Sequence, residues 1–198
     1  MDCNEYEKVK NFTYRQYCDY LKQKYGNAKF DYFSKSFVKN PRISRTKEGL
    51  YCHHIFEDSA IDLSNPIWAK KHSYEYQKAE NLCYCDLLEH LFLHILICEY
   101  PMTEEGSFEL VGIGGVINFF VPELNDLYSG FKTMQPWQKF CHDKVINDKD
   151  VYIMLVKRFY LNHKDFNYRL SLNERFGTWH TKNNSALFSE LDRAVLGG

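Results

Sequence analysis

Four of the eight histidines fall into two pairs whose spacing could do chemistry. His53 and His54 are adjacent, and His90 and His94 lie four apart inside the apolar run Leu87–Ile97. On a helix, an i,i+4 pair projects from one face, one turn apart. Imidazoles at that spacing converge on a single cation. A lone histidine on an apolar helix is usually a satisfied core residue. For this pair the core reading stands beside the metal reading, because each buried ring needs partners and an unmet one costs about 1–3 kcal/mol.

The elements that must position these residues can be read from the surrounding pattern. Gly49–Phe56 is a strand candidate, and Leu82–Tyr84 is a second, short one. Between them, 57–79 reads as a long irregular connection. Asp86 is a suitable N-cap with Glu89 three residues on, as in a capping box, so Asp86–Glu99 is the clearest helix of the chain. It is apolar on nearly every face, which predicts burial. Tyr100-Pro101 ends it. Upstream, Thr13 caps a helix carrying Tyr14, Tyr17, Leu21 and Tyr25 until Gly26. Packing of that aromatic face is the simpler reading; stacking on bases is the other. Downstream, Phe108–Phe120 suggests a hairpin turning at Gly114-Gly115, and Pro122–Tyr128, Pro136–Val145 and Lys149–Leu161 read as helices.

The order of strand with His-His, loop, Asn81, then helix with Glu89-His90-Leu91-Phe92-Leu93-His94 resembles the HNH, or ββα-metal, nuclease superfamily. The helix run is similar to that of phage-type homing endonucleases, and the histidine pair with Asn at minus nine to the metal site of colicin-type DNases. The resemblance covers about residues 49–98. It implies an α+β fold with a ββα-metal centre surrounded by helices and a short hairpin. The whole of 1–198 then forms a single domain, in which N-terminal (1–48) and C-terminal (99–198) elaborations flank the centre. It also implies a metal-dependent DNA endonuclease. In that reading His53, His90 and His94 hold one divalent ion, Mg²⁺, Mn²⁺, Ni²⁺ or Zn²⁺. His54 is the general base, and Asn81 fixes the loop and orients His54. Neighbours on a regular strand face opposite sides, so the roles of His53 and His54 are interchangeable at this stage. Two departures stand out: 57–79 has no glycine, and the CxxC pairs of zinc-stabilised members are missing. Glu57 and Asp58 either add a carboxylate to the site or belong to an ordinary polar loop, the simpler reading. His72, His142, His163 and His180 show no partner pattern.

Net charge is only −1, but it is uneven. Residues 1–50 carry a net +5, 51–110 a net −8 and 111–198 a net +2. The acidic middle argues against a nonspecific DNA coat. The cations Lys35, Lys39, Arg42, Arg45 and Lys47 form a stretch without an acid that leads into His53-His54. It is either a solvated loop or the DNA-binding face. DNA is the expected partner, with RNA the lesser candidate. A non-catalytic nucleic-acid- or protein-binding module on the same scaffold is the alternative function, and a ribonuclease toxin a third. The apolar stretch Leu110–Val121 suits core or a homodimer interface equally. No apolar stretch is long enough to span a bilayer, and no basic segment followed by an apolar run opens the chain. With seven cysteines at irregular spacing, the expectation is a cytoplasmic protein with reduced, mostly buried thiols and no membrane partner.

Overall fold

The computed structural model describes residues 1–100 and 111–197. Helix α1 (Cys3–Val9) starts at Asp2, whose side chain accepts from the Glu5 amide. Helix α2 (Tyr14–Tyr25) starts at Thr13 with a full capping box, its N3 partner being Gln16, and stops at Gly26. Tyr14, Tyr17, Cys18 and Leu21 form its buried stripe, so the aromatic face packs inward.

Strands β1 (Tyr51–His54) and β2 (Leu82–Cys85) pair antiparallel, with His53 opposite Cys83 and His54 opposite Leu82. Helix α2 lies against β2. The chain leaves β2 directly into α3 (Leu87–Glu99), where the Asp86–Glu89 capping box closes as the sequence predicts. Residues Leu91, Phe92, Leu93, Ile95, Leu96 and Ile97 of α3 are all fully buried. This helix is the axis of the main core, packed by α2, by 113–128 and by the helix Lys149–Asn162. A second, smaller core of Tyr32, Phe33, Ile43, Leu50, Leu82 and Tyr84 lies beneath the 28–50 segment.

Residues 113–128 form one continuous helical run, α4, with a wide π turn over Val116–Phe120. This corrects the expected hairpin: Gly114-Gly115 sits inside a helix, and 108–110 lie outside the described residues. Gly115 serves close packing rather than a turn, since a Cβ there would run into the His94 ring. Val111, Val116, Phe120 and Val121 are buried while Phe119 is 60% exposed, so the described part of that apolar stretch gives one face to the core. Helices α5 (Pro136–Val145), α6 (Lys149–Asn162), α7 (Leu172–Phe176) and α8 (Ser185–Leu196) complete the chain. The last two carry no counterpart in the sequence reading. The fold is therefore α+β, mostly helical, with one small two-stranded sheet among the described residues. All seven cysteines are free thiols, four of them buried. Among the described residues no helix is long and apolar enough to cross a membrane.

Candidate metal centre

Strand β1 ends at His54 and the chain turns at once into a single 3-10 turn, Ile55–Asp58. The turn carries Glu57 back beneath the strand. Glu57 then faces His53, four residues earlier, and His54, three earlier, at 3.6 Å each. From α3, His90 and His94 project onto the same point. His53 Nδ1 lies 3.1 Å from His90 Nε2, and His94 Nε2 lies 3.2 Å from Glu57 Oε2. One ligand atom from each of His53, Glu57, His90 and His94 falls within 4.8 Å of all the others. The structure thus brings together the three histidines expected as ligands and adds a carboxylate that the sequence reading left to a polar loop.

Partners behind the rings decide which nitrogens face the centre. A carbonyl only accepts, so His94 Nδ1 donates to the Gly112 carbonyl at 3.2 Å, which turns Nε2 toward Glu57. Gly112 holds φ +83°, and a Cβ there would lie 2.9 Å from the His94 carbonyl, so glycine is required. The Tyr14 hydroxyl donates to the Ile55 carbonyl at 3.0 Å and meets His53 Nε2 at 2.7 Å. With its one proton on Ile55, that hydroxyl accepts from His53 Nε2, which leaves a lone pair on Nδ1 toward His90 and Glu57. Such outer partners are what fix ligand tautomers in metal sites. Phe120, delivered by the π turn, covers the rings of His90 and His94 at 4.4 and 4.9 Å between centroids.

The result is a cluster short of donors: His90 Nε2 donates to His53 Nδ1, while the lone pair of His94 Nε2 faces the Glu57 carboxylate. A proton or a cation must lie between His94 Nε2 and the Glu57 carboxylate, since both otherwise accept. Burial, the largest influence, pushes the His53 imidazole down to about 3 despite the opposing pull of Glu57. Burial likewise holds His90 well below the usual histidine range, with His53 and His94 adding to it. Burial alone would raise Glu57, but its contacts with His53, His54 and His94 outweigh that and keep its carboxyl well below the usual range. Neutral imidazoles beside an ionised carboxylate are the state a divalent ion takes up. His90 Nδ1 has no partner among the described residues. The donor chemistry fits a metal ion.

His54 is held differently. Gln77 Nε2 donates to the Leu63 carbonyl at 3.3 Å, so its Oε1 is left to accept from His54 Nε2 at 3.0 Å. That tautomer leaves His54 Nδ1 as an acceptor, and it has no hydrogen-bond partner among the described residues. Its neighbour is Glu57 Oε1. Asn81 does not hydrogen-bond to His54; its Nδ2 donates to the Glu75 carbonyl at 2.8 Å, pinning the turn that carries Gln77. Gln77, Glu57 and Tyr14 are the members sequence reasoning did not assign. The one signal available was the i,i+4 interval from His53 to Glu57, which matters only because the strand ends there.

The basic stretch is mostly at the surface. Lys35, Lys39, Arg42 and Lys47 are exposed. Lys39 Nζ sits 4.7 Å over the Tyr32 ring, whose centroid is 4.4 Å from that of His54. Arg42 lies over Phe30, away from the histidines. Arg45 is committed to Glu48 and to the Tyr25 carbonyl. Of the five, Lys39 is connected to the centre by a single ring. Comparison of the chain with protein-family models, curated proteins and solved structures returns no match.

Proposed function

We propose that the chain is a metal-dependent endonuclease that hydrolyses DNA phosphodiester bonds through an HNH-like centre. The observation that carries the reading is the unpartnered Nδ1 of His54, held as an acceptor beside a ligand set of three imidazoles and one carboxylate. A divalent ion bound by His53, Glu57, His90 and His94 supplies positive charge to offset the phosphate and the departing 3′ oxygen. The chain's own residues do the rest. His54 Nδ1 takes the proton of the attacking water, and Gln77 Oε1, on the opposite ring nitrogen, stabilises the imidazolium that forms. Asn81 supports Gln77 by fixing the preceding turn. Tyr14 and the Gly112 carbonyl keep His53 and His94 in ligand tautomers. Lys39, with Lys35, Arg42 and Lys47 further out, grips phosphates of the bound strand. Imidazole-rich donors favour Zn²⁺ or Ni²⁺ over Mg²⁺ or Mn²⁺.

The burial of His53 and His54, both 0% exposed, favours a second reading in which four protein ligands enclose a structural ion within a binding module. One experiment separates them. Plasmid DNA and RNA are incubated with wild type and His54→Ala in each of the four ions. The nuclease reading expects cleavage by wild type and a loss of about 10²–10⁴-fold in the variant, with ion binding retained. Ion-dependent stabilisation without cleavage of either polymer would establish the structural ion instead.

A further inference from the structure

We propose that the Glu57 carboxylate holds the seat of the substrate's phosphate oxyanion, occupying it in the substrate-free protein and yielding it when a phosphate arrives. This rests on the phosphodiester reading above. The histidines sit on elements that do not give way: His53 and His54 on a paired strand, His90 and His94 on the core helix. Of the four ligands His53, Glu57, His90 and His94, Glu57 alone comes from a single 3-10 turn. It also lies on the partly open side of the cluster, its side chain 15% exposed against 0% for His53 and 10% for His94, with His90 partly exposed as well. Of the ligands on that side, Glu57 is the one carried by a turn rather than by the core helix, so exchange falls to it.

Its two oxygens define what would take its place. Oε2 lies 3.2 Å from His94 Nε2 and 3.6 Å from His53 Nδ1, and Oε1 lies 3.6 Å from His54 Nδ1. One oxyanion thus spans the ligand set and the unpartnered base. A phosphodiester presents two non-bridging oxygens to the same positions, and once the carboxylate has swung out a water can sit against His54. The neighbouring residue steadies the turn during exchange: Arg15 Nη2 holds Asp58 Oδ2 at 2.7 Å and ties it to α2. Four protein ligands also complete a tetrahedral shell, so one must leave before substrate can enter it.

The test uses Co²⁺ as a coloured probe ion and inorganic phosphate as the oxyanion, read by visible absorption, with no cleavage assay. Glu57→Ala should bind Co²⁺ about tenfold or more weakly than wild type, the cost of a lost ligand. Its Co²⁺ complex should nevertheless bind phosphate about tenfold more tightly, because the seat is already vacant. Glu57→Gln preserves the shape of the turn and should fall between the two; it replaces the alanine variant if that does not fold. Equal phosphate affinity in wild type and variants overturns the inference while leaving the metal centre intact. If wild type forms no Co²⁺ complex at all, the metal reading and the inference fall together.

Discussion

Two buried polar clusters lie at opposite ends of the hydrogen-bonding scale. Around Asp126 on α4, every carboxylate oxygen is matched by a donor. Oδ1 accepts from Ser171 Oγ and Asn184 Nδ2, and Oδ2 accepts from the Asn173 amide and its Nδ2. Next to it, Asn125 donates to the Tyr168 and Leu170 carbonyls and accepts from the Tyr152 hydroxyl. Around Glu57, by contrast, His94 Nε2 and the carboxylate face each other as two acceptors, and the Nδ1 atoms of His54 and His90 have no partner among the described residues. Both clusters are largely hidden from water. Burial therefore does not distinguish a staple from a site; the sum of donors and acceptors does. The first cluster is complete and fastens the 168–184 segment to α4. The second becomes complete only when a proton or a cation is added.

The sharpest way to break that contrast is to remove each carboxylate or ring in turn and read stability with and without an ion. Asp126→Ala strands four donors and should cost on the order of 4 kcal/mol in urea unfolding, with or without Zn²⁺. The ion's own contribution should be smaller. At a free concentration of about 100 times its Kd it stabilises wild type by about 2.7 kcal/mol. His94→Ala should abolish that increment, and Asp126→Ala should retain it in full. If His94→Ala keeps the increment, the two clusters are alike and the contrast fails. Smaller still is the effect of Gly115→Ala, where a methyl group displaces the His94 ring. Ion affinity should drop about tenfold, or about 1.4 kcal/mol, in a calorimetric titration. An unchanged affinity would show that His94 is not a ligand.

The two clusters were unequally legible in the sequence, for a physical reason. The Asp86–Glu89 capping box, the Thr13 cap and the i,i+4 spacing of His90 and His94 are local, and local hydrogen bonds and helical periodicity can be read residue by residue. The strand pair bearing His53 was legible for the same reason. Glu57 was not, because its direction depends on β1 stopping at His54, and the strand candidate ran on to Phe56. Gln77 reaches His54 across 23 residues of irregular chain. Gly114-Gly115 has the composition of a turn, yet what selects glycine at 115 is a ring on another helix. The Asp126 cluster joins residues 45 to 58 positions apart, so nothing nearby in the chain announces it. The basic stretch was visible as composition, but only Lys39 proves to be one ring away from the histidines.

The last and smallest effect is a pH handle that touches only the complete cluster. Tyr168, whose carbonyl accepts from Asn125, also donates through its hydroxyl to Asp192 on α8, and Arg169 pairs with the same carboxylate. The hydrogen bond from Arg169, followed by that from Tyr168, holds the Asp192 carboxyl below its ordinary value of 3.8. A carboxyl with a lowered folded pKa stabilises the native state while ionised. The contribution is fully present above the unfolded value, and it disappears as the pH falls through the folded one, where the unfolded chain binds the proton first. Because the pair is open to solvent, the gain is slight and screened by salt. Asp192→Asn should therefore lower the melting temperature slightly at pH 7 and low ionic strength. The difference from wild type should shrink with added salt and close as the pH falls below about 4. The Zn²⁺-dependent rise in melting temperature at pH 7 should be identical in the two proteins, since no residue of this strap touches the histidine cluster. A change in that rise would mean that the two clusters communicate through α4, which carries both Asp126 and the Gly115 contact with His94.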